Sequence, residues 1–167
     1  MAISTLVASE DQTFFEHAGV DVTSIARSAV LNLRSGRLRY GGSTLSMQLA
    51  RMIHSQGKPR SIVRKCYEII RAIQIDRSFS KADILEQYFN RAYYGNGAYG
   101  IEAASQHYFN KSANSLSTGE ATFLSVLPRG PSFYNPRKHV KRAKERQIAL
   151  IETLVAQGRA YASIATR

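Results

Sequence analysis

Apolar residues recur along this chain at spacings of three and four, and no segment sustains the two-residue alternation of a half-buried strand, so the pattern predicts an all-α protein. Val22, Ile25, Ala26, Ala29, Val30 and Leu33 make one stripe on a helix ending near Gly36. Ser43 or Thr44 caps a second helix, whose Leu45, Leu49, Met52 and Ile53 fall on one side. A polar loop over 55–59 leads into a third. There, at about 100° per residue, Arg60, Arg64, Glu68 and Arg71 share a quadrant, while Ile62, Cys66, Ile69 and Ile73 line the opposite side. Ser80 with Asp83, and Ser117 with Glu120, read as capping boxes opening helices over 84–89 and 121–127. Asn135 before Pro136 is a cap with proline at the first helical position, on a last helix running to Gly158. Residues 93–100, rich in tyrosine and glycine, form a turn, and neither an internal repeat nor a linker interrupts the chain.

A chain of 167 residues, 44% of them apolar, is long enough for one domain with its own core and too short for two, so residues 1–167 are expected to form a single domain. Twenty-three Lys and Arg against twelve Asp and Glu leave a charge of +11, which calls for an anionic partner: nucleic acid, a lipid headgroup or a phosphorylated substrate. The basic run over 137–142 reads as a solvated surface. The lone Cys66 excludes an internal disulfide and a cysteine-based zinc site, and is expected to be a small core residue. No stretch is long and apolar enough to span a membrane, and residues 1–9 are too few for a secretory signal.

Three places concentrate polar chemistry. Glu68 among three guanidiniums is either a surface ladder of ion pairs, each worth about 0.3–0.5 kcal/mol, or a diphosphate site whose Arg forks grip phosphate oxygens. Gly41 and Gly42 ahead of Ser43 and Thr44 let backbone approach a sugar or phosphate oxygen at a helix N-terminus, although the same residues also make an ordinary loop-to-helix junction. The spacing is not that of a phosphate-binding P-loop. Glu10 and Asp11, followed by Phe14, Phe15 and His17, are adjacent carboxylates in an aromatic setting; the pair suits a general base or acid, and equally an exposed acidic helix end. Four scattered histidines carry no transition-metal signature, whereas Mg²⁺ or Mn²⁺ at Glu10 and Asp11 would need only oxygen ligands.

In order, these segments resemble the motifs of the family 51 glycosyltransferases, the peptidoglycan glycosyltransferase domains of penicillin-binding proteins and their monofunctional relatives. The likeness extends from Glu10 to about Gly158. Glu10, Asp11, Phe14, His17 and Gly19 match the first motif, and Gly41, Gly42, Ser43, Thr44 and Gln48 the second. Where the family often has two glutamines this chain has Met47 and Gln48, and Arg51 replaces a frequent lysine. Residues 43–48 look most similar to the penicillin-binding protein 1C subgroup. Arg64, Lys65 and Glu68 match the third motif, with Arg60 where relatives carry a diphosphate-binding arginine. The fourth, over 81–109, and the fifth, over 116–136, look structural.

The resemblance implies a lysozyme-like helical fold, with a larger lobe and a smaller membrane-facing lobe. It implies polymerisation of lipid II onto a growing glycan strand, by inverting transfer with loss of undecaprenyl diphosphate. Glu10 would be the base; Glu68 would orient Arg51, Arg60, Arg64 and Lys65 around the diphosphate, or hold a divalent ion on it. The bacterial membrane surface would be a second partner, at the outer, periplasmic face of the cytoplasmic membrane, with the anchor outside this chain. Two other classes compete: a lysozyme-like enzyme cleaving the same polymer, which has no diphosphate to expel, and a basic nucleic-acid-binding module, for which no recognition motif is present.

Overall fold

The computed structural model describes residues 6–7, 10–36, 41–54 and 61–156. Among them run seven α-helices: α1 (Val22–Ser35), α2 (Leu45–His54), α3 (Ile62–Ser78), α4 (Lys81–Arg91), α5 (Ile101–Phe109), α6 (Thr118–Val126) and α7 (Pro136–Ala156). A 3₁₀ turn at Ala113–Ser115 precedes α6. The described residues contain no strand beyond an isolated antiparallel bridge between Tyr93 and Tyr99, so the fold is all-α as the periodicity requires. The chain divides into two compact units, Thr13–Tyr88 and a second that joins Met1–Gln12 to Phe89–Arg167.

In the Thr13–Tyr88 unit α2 packs on α3. Leu45, Met47, Leu49 and Ala50 of α2 are buried, as is Ala72 of α3. Thr44 is the cap of α2: its hydroxyl accepts from Met47 N at 3.1 Å and donates to the Gly19 carbonyl at 2.6 Å. Its two bonds tie the helix start to the loop before α1. That loop ends at Asp21, whose carboxylate accepts from the Ser24 hydroxyl, the Thr23 hydroxyl, the Ser24 amide and the Thr13 hydroxyl. Those bonds, the Ser24 hydroxyl foremost, hold Asp21 well below the usual carboxylate range.

The apolar stripes expected to pack do not all do so. No residue of α1 is buried, and Val22 and Leu33 are 71% and 85% exposed. The inner edge of α1 is instead Ser24, Ile25 and Ser28, because Gly42 lies against it: a Cβ on Gly42 would come within 2.7 Å of the Ser24 carbonyl and 2.8 Å of Ser28 Oγ. Backbone can approach that closely only over small side chains. On α2, Ser46 and Met47 join the core while Ile53 is exposed.

The reversal on α3 is larger, since its two buried residues are Glu68 and Ala72, whereas Ile62 is 85% exposed and Val63 and Ile70 are also exposed. Cys66 is exposed rather than a core residue. The cause is Gly19, at φ +87°, whose backbone sits so close that a Cβ there would be 2.5 Å from the Ala72 carbonyl. A loop that must touch helix backbone selects the face with alanine on it, whatever the apolar residues do elsewhere.

In the second unit α5 packs on α6 and α6 on α7. Ala104, Ala121, Leu124, Val126, Leu127, Ala143, Leu150 and Leu154 form its core. Both capping boxes form, that of Ser80 in the Thr13–Tyr88 unit and that of Ser117 in this one. Asp83 accepts from the amide and hydroxyl of Ser80, and Glu120 does the same for Ser117 at 2.7 Å each. A hydrogen bond from Lys111, 2.8 Å away, together with those of Ser117 holds the Glu120 carboxyl at about 2. Asn135 accepts from Arg137 N at 2.9 Å, so α7 begins at Pro136 as its cap requires. A break at His139 (φ −139°, ψ 46°), which no residue type announced, divides its first turn from the rest. The expected end at Gly158 lies outside the described residues.

Candidate active site

The first-motif residues divide between the two units. Glu10 and Asp11 are in the second, with Glu10 helical and Asp11 N bonded to the Val7 carbonyl at 2.9 Å. The Glu10 side chain is only 7% exposed and faces Arg129 at 4.0 Å. Arg129 was not among the candidates: it follows Pro128 in the loop after α6, and nothing in its local spacing marks it.

Phe14, His17 and Gly19 belong to the Thr13–Tyr88 unit. Phe14 is fully buried, edge-on to Phe15 at 5.2 Å and to His17 at 6.1 Å between ring centroids, so its side chain builds the loop and meets no ligand. The His17 carbonyl accepts from Lys81 Nζ at 2.7 Å.

The second and third motifs meet directly. Lys65 Nζ donates to Ser43 Oγ at 2.6 Å and stands 3.5 Å from Glu68 Oε2. Glu68 is 7% exposed, and the Lys65 side chain keeps 39% of its surface open. A buried carboxylate thus fixes an accessible ammonium at the start of α2, where unpaired helix amides add positive potential. Gly41 is exposed, and a Cβ added there would meet nothing within 4 Å, whereas Gly42 and Thr44 are packing residues. Gln48 accepts from the Tyr88 hydroxyl at 3.2 Å, Met47 is wholly buried, and Arg51 stands half-buried in the last turn of α2.

The ring of three guanidiniums around Glu68 needs correction. Arg71 turns away: its Nε donates to the Tyr67 hydroxyl at 2.8 Å, NH1 donates to Gln74 at 3.0 Å, and the guanidinium lies over the Tyr67 ring. Arg64 is half-buried at the start of α3, its amide bonded to the cap Ser61, and Arg60 lies outside the described residues. Among the described residues, Lys65 stands on Glu68, at 3.5 Å.

Among the described residues no group of three or more His, Cys, Asp or Glu converges as a metal site. Glu10 and Asp11 offer two carboxylates, the number Mg²⁺ takes from protein when phosphate oxygens complete its shell. No helix of the described residues is long and apolar enough to cross a membrane.

A family model described as Transglycosylase matches residues 1–155. Penicillin-binding protein 1A of Aquifex aeolicus (strain VF5) is 42% identical over 156 residues, 93% of this chain and 21% of the relative. Its namesake in Pseudomonas aeruginosa is 43% identical over 156 residues, 93% of this chain and 19% of the relative. Penicillin-binding protein 1F of Bacillus subtilis (strain 168) is 39% identical over 152 residues, 91% and 21% of the two chains. The chain spans about a fifth of the length of these curated relatives. These three carry the 1A and 1F designations, not the 1C that residues 43–48 suggest. A crystal structure of penicillin-binding protein 1A from Haemophilus influenzae aligns at a TM-score of 0.47 and 25% identity, over 71% of this chain and 14% of that one. At that score the likeness adds nothing to the fold, which rests on the helices themselves. One family model runs through both units and through every motif described above, and the chain belongs to the transglycosylase family.

Proposed function

We propose that this chain is a peptidoglycan glycosyltransferase domain that polymerises lipid II by inverting transfer. Glu10 takes the proton from the acceptor's 4-hydroxyl as that oxygen attacks the anomeric carbon of the donor strand. The glycosidic bond to undecaprenyl diphosphate breaks, and the electron pair leaves on the diphosphate. Positioning lets a carboxylate of ordinary strength serve as base. The demanding part is the leaving group, because negative charge grows on the diphosphate as the bond breaks, and preorganised cations stabilise charge where it develops.

The observation that carries this reading is Lys65, held by Ser43 and Glu68 yet open to solvent. A surface ladder would leave its carboxylate exposed; here Glu68 is buried and the cation is not. Arg51, Arg60 and Arg64 belong to the same proposed diphosphate site, with Gly41, Ser43 and Gln48 toward the sugars. Were Mg²⁺ or Mn²⁺ required, Glu10 and Asp11 would hold it through carboxylate oxygens, and it would supply positive charge toward an anionic substrate. A lipid II substrate would put the domain at the outer face of the bacterial cytoplasmic membrane. Membership of the transglycosylase family argues against both the nucleic-acid module and the strand-cleaving enzyme.

The test is polymerisation of labelled lipid II in detergent with Mg²⁺, Mn²⁺ or chelator, comparing the parent with Glu10→Gln and Lys65→Ala. Glycan strands from the parent, none from Glu10→Gln, and a loss of about a hundredfold for Lys65→Ala are expected. A folded parent that cleaves strands or makes no polymer refutes the reading.

A further inference from the structure

Lys81, at the first position of α4, opens the fourth motif, which looks structural in sequence, yet its ammonium reaches unusually far along the chain. Its Nζ donates to the His17 carbonyl at 2.7 Å and to Asp76 Oδ2 at 2.8 Å, and it stands 4.5 Å from the centre of the Phe14 ring. The same Asp76 oxygen accepts from Ser46 Oγ on α2 at 2.8 Å. Ser46 is fully buried, and the side chains of Asp76 and Lys81 are 6% and 23% exposed. One cation therefore connects the 13–21 loop, α2 and α3, the elements that carry the Phe14–His17, Gly41–Gln48 and Arg64–Glu68 motifs.

A buried ion pair is a poor source of net stability, since apolar residues of similar volume often serve as well, but it is exacting about geometry. Two hydrogen bonds and a ring face fix the ammonium, and through it the His17 carbonyl, while Ser46 holds the Asp76 carboxylate in turn. Gly19 is already clamped between Thr44 and Ala72 at the far end of the loop. Lys81 supplies the second clamp, at His17, so the segment between cannot rock about Gly19.

We propose that Lys81, held by Asp76, is a positioning residue for the transfer reaction: it fixes the Phe14–His17 loop against the helices that carry the proposed diphosphate site. This rests on the glycosyltransfer reading above. Its test is chosen to separate a positioning role from a merely structural one. Lys81→Met alone strands the Asp76 charge and threatens folding, so the decisive protein is the double variant Asp76→Asn with Lys81→Met, which removes both charges.

Two readouts are compared with the parent. The amides of Glu16 and His17 both bond to the Thr13 carbonyl, so their hydrogen exchange reports whether the loop is held. In the double variant that exchange is expected to rise about tenfold, with α6 and α7 unchanged. Turnover of lipid II is expected to fall about tenfold or more, with KM shifted less than about threefold, and Lys81→Arg is expected to recover most of it. Parent-like turnover in the folded double variant would overturn the proposal. If the parent itself makes no polymer, that failure belongs to the glycosyltransfer reading; parent-like exchange at Glu16 and His17 would then overturn the clamp, and faster exchange would support it.

Discussion

Replacing Gly19 by alanine tests the contact that sets the face of α3. Two separate terms oppose the added methyl. At φ +87° an L-residue is strained by about 1–2 kcal/mol. The methyl would also meet the Ala72 carbonyl oxygen at 2.5 Å, its carbon at 2.8 Å and the Ile73 nitrogen at 3.0 Å. All three are helix backbone and cannot rotate aside, so an overpacking cost of about 1–3 kcal/mol follows. Together they give a loss of about 3 kcal/mol, or roughly 6–12 °C in Tm for a chain of this length. Gly36 is the control: in the same unit, at φ +62°, it has nothing within 4 Å of the added carbon. Gly36→Ala therefore bears only the conformational term, about 1 kcal/mol. Urea unfolding of both variants measures the difference, provided the slope m is unchanged. If Gly19→Ala falls within about 0.5 kcal/mol of Gly36→Ala, the close approach to Ala72 is not what holds the loop, and the account of α3 fails.

Three further outcomes follow from the same geometry. Ser117→Ala removes one half of a capping box and should lower stability by about 1 kcal/mol in urea unfolding. Asp21 has its pKa lowered by folding, so it contributes stability above its unfolded pKa of about 3.9 that is lost as pH falls below that value; in thermal scans from pH 5 to pH 2, Asp21→Asn should lose less stability than the parent. Arg129→Ala removes a half-exposed partner 4.0 Å from Glu10, so it should change Tm little while lowering polymer formation about tenfold or more; a parent-like rate would detach Arg129 from the base.

What the sequence made legible was mostly short-range. The caps at Thr44, Ser80, Ser117 and Asn135 all form, because a capping bond spans two or three residues and needs no knowledge of the rest of the chain. The helical class was legible for the same reason. Which face a helix buries is a different matter, decided by what lies against it. On α1 and α3 the decisive neighbours are Gly42 and Gly19, distant in sequence and without side chains to betray their role. Periodicity marked Ile62 and Cys66 as interior, and both are outside. The same limit explains Arg71, whose spacing from Glu68 is right for an ion pair but whose nearest acceptors are Tyr67 and Gln74 on its own helix. Arg129 and Asp76 were invisible because their partners Glu10 and Lys81 are brought to them by tertiary structure, or by a corner between helices that spacing does not define.

A motif read as one block in sequence separates, once folded, into residues that build the site and residues left to address a ligand. Phe14, Gly19, Gly42 and Thr44 have no surface or no room to spare: a buried ring, two glycines against helix backbone, and a hydroxyl already bonded on both sides. Gly41, Ser43 and Lys65 retain exposure, and Glu68 is buried where it can hold Lys65. The division follows from how closely the 13–21 loop lies on α3. Only a chain with glycine at 19 and alanine at 72 approaches so near, and that approach puts the loop carbonyls within reach of Thr44 and Lys81. Ser43, next to Thr44, is then presented to Lys65 one turn before Glu68. The builders thus determine where the ligand-facing cation stands, and a single mislaid methyl at position 19 would be felt at Lys65 without touching it.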